Sequence, residues 1–200
     1  MTINNQFSIN LKEGQAGENA IATWLKNKGF DVLPVYEKII DTGKGPQLFT
    51  RDNESLVAPD LLCFKDGAPM FVEAKRKSGF TWHRKTKRWV TGIDLRHYLE
   101  YIKVLNSTKV PIYLCFVQEG KKTKDDQYSN YQQPSGLFVN DLSKLTQMEN
   151  HRSDKWGVSG MVYWSDRSLI KKANLSDIYK YIKTHQKRQI KKQKVSPQTL

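Results

Sequence analysis

Two carboxylates and an ammonium stand out in the stretch APDLLCFKDGAPMFVEAKRKS, residues 58 to 78. Asp66-Gly67 is a strong signal for a two-residue type I′ turn, because both residue types tolerate the positive φ that this turn needs. The turn pairs Lys65 with Ala68, so paired residue numbers sum to 133 and Asp60 falls opposite Glu73. A four-residue loop between Phe64 and Pro69 keeps the same pairing. Lys75, two residues beyond Glu73, projects from the same face of its strand. Opposed carboxylates repel by some tenths of a kcal/mol up to about 1, so something must offset them. One solution is a surface ion network with Lys75. The other is a hard divalent cation, since Mg²⁺ takes one or two carboxylate oxygens and keeps several waters for chemistry. The apolar residues Leu61, Leu62, Cys63, Phe64, Met70, Phe71 and Val72 make these strands core elements, which encloses the charged face and favours the cation.

The elements around this hairpin follow from periodicity. Residues Gly14 to Gly29 read as an amphipathic helix with Ala20, Ile21, Trp24 and Leu25 at helical spacing and Gly29 as its stop. FDVLPVYEKI reads as a strand, with Pro34 marking an edge or a bulge. Asp41 to Ser55 reads as a polar loop, and the segment after the hairpin as a basic loop to about Gly92. A second helix is expected over Ile93 to Asn106, followed by the continuous apolar strand VPIYLCFV. Gly120 to Ser135 is polar, an excursion from the core. GLFVN and SGMVYW read as late strands, and Asn174 to about Lys192 as a third helix capped by Asn174 or Ser176. This order implies an α/β sheet with helices on its faces. We expect one domain over residues 1–170, with a basic C-terminal helix and tail over 171–200.

Pro59-Asp60, twelve intervening residues and then Glu73-Ala74-Lys75 resemble the signature of the PD-(D/E)XK nuclease superfamily, the fold of many restriction enzymes and of archaeal Holliday junction resolvases. The resemblance covers roughly Gly14 to Val117 and implies a restriction-endonuclease-like core: a mixed central β-sheet flanked by helices. It implies Mg²⁺, with Mn²⁺ able to substitute, held by Asp60 and Glu73 with the Ala74 carbonyl as a further oxygen ligand. Lys75 would orient the attacking water. GQAGENAIATWLKNKGF is similar to the first helix of resolvase-like members, whose glutamate joins the metal site. Glu18 occupies that place; it completes the shell directly, acts through water, or salt-bridges Lys26 or another cation. FTWHRKTKRWVTGIDLRHYLEYIKV is a longer basic connection than minimal resolvases have.

Charge points to the partner. The chain of 200 residues carries 33 Lys and Arg against 20 Asp and Glu, a net +13. Ala74 to Ile93 holds seven basic residues and no acid, and Lys171 to Lys194 holds nine with only Asp177, so the remainder is slightly negative. A localised field of this kind fits a polyanion. Arg76, Lys77, Arg84, Lys85, Lys87 and Arg88, and in the tail Lys187, Arg188, Lys191 and Lys192, are the candidate phosphate contacts. Trp82 and Trp89 either stack on unpaired bases or pin a long loop to the core. Asp94 and Tyr98 share one side of the second helix and face the site if that helix packs on the hairpin; a core role is the alternative for Tyr98. His83, His97, His151 and His185 share no ligand spacing.

The expected activity is Mg²⁺-dependent hydrolysis of DNA phosphodiesters, structure-directed like that of Holliday junction resolvases. A restriction-type or RNA-cleaving enzyme and a non-catalytic nucleic-acid-binding module of the same fold are the alternatives. The absence of a long apolar run or a signal-like start leads to a cytoplasmic protein with no membrane partner, from a prokaryote or one of its phages or mobile elements. Cys63 and Cys115 sit in apolar runs, consistent with a reducing compartment. The third helix would be a docked basic helix or the arm of a homodimer.

Overall fold

The computed structural model describes residues 16–34, 47–121, 127 and 132–180. Within them a helix at 16–27 (α1) is followed by β1 (Asp31–Pro34), β2 (Gln47–Phe49), β3 (Ser55–Val57), β4 (Leu61–Lys65) and β5 (Ala68–Lys77). Next come β6 (Thr81–His83), β7 (Arg88–Asp94), α2 (Leu95–Thr108), β8 (Ile112–Gln118) and β9 (Gly136–Asp141). The chain continues with α3 (Leu142–Leu145), β10 (Glu149–Ser153), β11 (Met161–Ser165), a 3-10 turn (Asp166–Ser168), β12 (Ile170–Ala173) and a helix at 175–180 (α4). The basic residues Lys187, Arg188, Lys191 and Lys192, and most of the expected third helix, lie outside the described residues.

Six strands form the central sheet in the order β1-β4-β5-β8-β9-β12. Only the β5–β8 pair is parallel, because β5 and β8 are joined by a long crossover while the other neighbours run antiparallel. The sheet is thus mixed and buried on both faces. Ala20, Ile21 and Leu25 of α1 pack with Ile178 of α4 against Val72, Ala74, Cys115 and Val117 on one face. Tyr98, Tyr101 and Val104 of α2 pack against Phe71, Ile112, Leu114 and Phe116 on the other. This is the expected α/β arrangement with flanking helices. Cys63 and Cys115 are free and buried, and among the described residues no helix is long and apolar enough to cross a membrane.

The β4–β5 hairpin has the anticipated register, Leu61 with Val72 through Lys65 with Ala68. Asp66 and Gly67 take φ of 51° and 80°, the positive values of a type I′ turn. Among the described residues the edge strand β1 runs to Pro34 and pairs with β4 alone, and the rest of the expected strand, 35–39, lies outside them.

Three stretches differ from the expectations. The segment 41–55 is not all loop, since β2 and β3 pair as a short hairpin that buries Leu56 against α2. The basic connection to Gly92 is a second hairpin, β6 with β7. It joins β11 and β10 in a four-stranded antiparallel sheet, β10-β11-β7-β6. That sheet is anchored by Trp89, Ile93, Val162 and Trp164, all in the same core as α2, and the Trp164 indole donates to the Leu145 carbonyl at 2.8 Å. Its edges approach one another, because His83 of β6 stacks on His151 of β10 at 3.8 Å. Finally, residues 171–173 belong to β12, an edge of the central sheet, so the sheet crosses the division expected after residue 170.

Candidate active site

Asp60 stands one residue before β4. Its backbone bends out of the ladder there, and its carboxylate Oδ2 accepts the Ala74 N–H at 2.9 Å. That hydrogen bond ties Asp60 to β5 between Glu73 and Lys75. Glu73 lies in the middle of β5, beside Leu114 of β8, and is 1% exposed. A carboxylate so deep needs a partner. Its Oε1 forms an ion pair with the Lys75 ammonium, which also lies 4.0 Å from Asp60 Oδ2. The two carboxylates and the lysine expected from the sequence are therefore brought together.

The electrostatics show that one lysine does not satisfy the cluster. Burial, and next the neighbouring Glu73 charge, push the Asp60 carboxyl up from its ordinary 3.8 to about 8, against the pull of Lys75 and the Ala74 N–H. Burial opposes the charge on Lys75, but Glu73 and Asp60 outweigh it and raise its pKa. Glu18, on α1, is close enough to act on both Asp60 and Lys75. Lys77 lies on the same strand face and is held below its ordinary value by burial and by repulsion from Lys75.

One residue not singled out in the sequence belongs here. Tyr101 of α2 is 2% exposed, and its hydroxyl is raised well above the ordinary range by burial and by the Glu73 and Asp60 charges, with Glu73 as a polar partner. The contact lacks full hydrogen-bond geometry, since neither Glu73 oxygen has a well-formed hydrogen bond. Its helical spacing from Tyr98 could have pointed to it, but two tyrosines three positions apart carry no mark of which faces the strand. Tyr98 itself turns the other way and donates to Glu149 Oε1 at 2.5 Å. Asp94 does not face the site: it caps α2, accepting the Arg96 N–H at 3.0 Å.

The residues proposed from their basic charge are dispersed. Arg76 points to the opposite face, where its Nε donates to Glu119 Oε1 at 2.6 Å and Tyr179 of α4 donates to the same oxygen at 3.0 Å. Trp82 is half-buried and meets Trp89 edge-on at 5.2 Å, while Trp89 is 3% exposed and part of the core. Arg84, Lys85 and Lys87 are exposed in the β6–β7 turn, and Arg88 is half-buried beside it. A cavity of about 710 Å³ lies elsewhere, between the β2–β3 hairpin and the C-terminal end of α2. It includes none of these residues.

A divalent ion fits the chemistry of the cluster. Asp60, Glu73 and the Ala74 carbonyl offer hard oxygen donors of the kind Mg²⁺ prefers, and both Glu73 oxygens are buried without a well-formed hydrogen bond. Among the described residues no three acidic, His or Cys side chains converge into a closed metal cage. An ion here would be held by few protein ligands and keep positions open.

Fold and site together define a mixed α/β protein with a central mixed sheet flanked by helices, its acidic pair just before β4 and at the centre of β5. Among solved structures the chain is similar to Archaeoglobus fulgidus Hjc, a Holliday junction resolvase from an archaeal hyperthermophile, at 10% identity and a TM-score of 0.44, over 78% of this chain and 90% of that one. It is also similar to D212, a nuclease from a fusselovirus, at 10% identity and a TM-score of 0.35, over 92% of this chain and 97% of that one. No family model and no curated protein matches the sequence.

Proposed function

We propose that the protein is a divalent-metal-dependent endonuclease that hydrolyses DNA phosphodiester bonds, with branched DNA such as a four-way junction as its preferred substrate. The observation that carries the reading is the buried Glu73 carboxylate beside Lys75, with Asp60 joined to the same strand and pushed up to about 8. Such an arrangement has little structural merit in the absence of a cation, because like charges are held together at the expense of their solvation.

In this reading Asp60, Glu73 and the Ala74 carbonyl hold Mg²⁺, or Mn²⁺ in its place, with Glu18 assisting from α1. When bound, the ion supplies Lewis-acid stabilisation of the phosphoryl oxygens and makes a water more acidic. Lys75, 31% exposed in its side chain, reaches from the carboxylates toward solvent, where its ammonium holds the attacking water and a phosphate oxygen. Tyr101 keeps the Glu73 carboxylate oriented. Hydrolysis by water needs no covalent enzyme intermediate. Lys77 on the site's own strand face, and Arg84, Lys85, Lys87 and Arg88 on the second sheet, supply contacts to the phosphate backbone that are strong at low salt and carry no base information.

Incubation of the purified protein with labelled four-way junction, linear duplex, single-stranded DNA and transfer RNA, in Mg²⁺ or in chelator, tests this. Metal-dependent cutting of the junction ahead of linear duplex is expected. Cutting that persists in chelator removes the metal mechanism, equal cutting of junction and duplex removes the structural preference, and preferential cutting of transfer RNA moves the substrate to RNA.

A further inference from the structure

Helix α2 and strand β5 run in opposite directions across the site. The helix ends at Thr108, and after three connecting residues the chain at Ile112 enters β8, which is parallel to β5. The Phe71 N–H, near the start of β5, bonds the Pro111 carbonyl at 2.8 Å, so the C-terminal end of α2 lies at the start of β5. The levels can then be matched. Val104 packs in the core with Phe71, and Tyr101 meets Glu73. One further turn up the helix is His97, whose ring lies over that of Tyr101, with centroids 6.1 Å apart and planes at 26°.

Four helical residues rise about 6 Å, and two strand residues advance about 6.6 Å. Stepping from Tyr101 to His97 therefore matches the step from Glu73 to Lys75. His97 is partly exposed, whereas Tyr101 beneath it is buried. By this matching the imidazole comes level with Lys75, partly exposed beyond the Tyr101 ring and within electrostatic reach of Asp94 at the start of the helix. We infer that His97 is a substrate-contact residue of the nuclease, donating an N–H hydrogen bond to a non-bridging oxygen of the phosphodiester that Lys75 approaches from the other wall. The inference rests on the proposed nuclease reading and adds to it the helix side of the phosphate clamp.

An imidazole carries an N–H in both of its charge states, so the contact needs no particular protonation. A hydrogen bond to a charged acceptor is worth enough to change a rate by roughly 10- to 100-fold. The alternative is that His97 only packs on Tyr101. Two variants separate these: His97→Phe keeps a ring over Tyr101 and removes the donor, while His97→Gln keeps an N–H donor and removes the ring.

The test is single-turnover cleavage in Mg²⁺ of the substrate cut fastest by the wild-type chain, with melting temperatures measured alongside. We expect His97→Phe to melt like the wild type but cut about 10- to 100-fold more slowly, and His97→Gln to recover most of that loss. Wild-type cutting by His97→Phe, or a His97→Gln variant no better than His97→Phe, overturns the contact. If the wild-type chain cuts, and Asp60→Asn abolishes cutting, the nuclease reading stands whichever way His97 falls. A wild-type chain that cuts nothing removes the reading, and this contact with it.

Discussion

Two aspartates, Asp60 and Asp94, occupy comparable places at strand ends and meet opposite fates. Asp94, at the junction of β7 and α2, accepts the Arg96 N–H at 3.0 Å and the Ser159 hydroxyl at 2.5 Å on one oxygen, and the Val158 N–H at 3.2 Å on the other. Burial acts to raise its pKa, but these donors outweigh it and hold the carboxyl below its usual range. Asp60 accepts one backbone N–H and faces another carboxylate, and is pushed up to about 8. The difference is a completed set of donors against an unfinished one. A protein finishes the shell of an acid it uses for structure, and leaves open the shell of an acid that is to receive a ligand.

Substitution at the open end of this comparison should have the largest effect. Asp60→Asn is expected to lower the cleavage rate by about a thousandfold or more, since several kcal/mol of charge stabilisation depend on the ion it helps hold. The measurement is cutting of labelled DNA in Mg²⁺, and near wild-type cutting would refute the role of Asp60. The same change should leave the folded protein intact.

The pH dependence of stability comes next. With its pKa raised from 3.8 to about 8 on folding, Asp60 favours the folded state while protonated, so its contribution is full below about pH 4 and is lost as pH rises toward 8. In chelator the melting temperature should fall across that window, after allowance for the rest of the chain by comparison with Asp60→Asn. Added Mg²⁺ should flatten the fall, because a bound cation replaces the proton. An identical slope in wild type and Asp60→Asn would show that Asp60 does not titrate there.

Asp94 should behave in the opposite sense. Its depressed pKa gives stability that is present above its ordinary value and lost as pH falls below it. Asp94→Ala should cost about 1 kcal/mol as a lost helix cap, read as a lower denaturant midpoint, with cleavage by the folded fraction retained. The smallest effect belongs to an exposed pair: Glu54, half exposed, pairs with Lys103 at 2.6 Å, and Lys103→Ala should leave the melting temperature unchanged, as solvent screens the pair.

What the sequence makes legible tracks how local the determining physics is. The β4–β5 register follows from two turn residues and alternation, and it appears residue for residue from Leu61 to Lys65. The helices at 16–27 and 95–108 follow from apolar spacing, with Gly29 as the stop of the first, whereas Asp94, expected inside the second, is its N-cap. The second sheet is hidden because a basic turn, with Arg84, Lys85 and Lys87, joins the short strands β6 and β7, and the β11 partner of β7 lies about seventy residues later, paired through Tyr163 with Gly92. Composition in the turn signals solvent, while the sheet is anchored by Trp89 of β7 and the distant Trp164 of β11. The grouping of Asp60, Glu73 and Lys75 in the candidate site was legible, because their types and spacing lie in and beside one hairpin. Tyr101 was not, because which helix residue meets Glu73 depends on how α2 lies across the sheet. Arg76 misled for a related reason: adjacent strand residues point to opposite faces, and its face meets Glu119.

The close approach of α1 to β5 is governed by a missing side chain. A Cβ at Gly17 would lie 2.6 Å from that of Arg76, so even a methyl group forces the helix away from the sheet. Glu18 is the next residue, and its reach to the acidic pair is set by this clearance. The placement of α1, and with it of Glu18, therefore depends on the bare hydrogen that stands where residue 17 would carry a side chain, packed against Arg76 on the far side of the sheet.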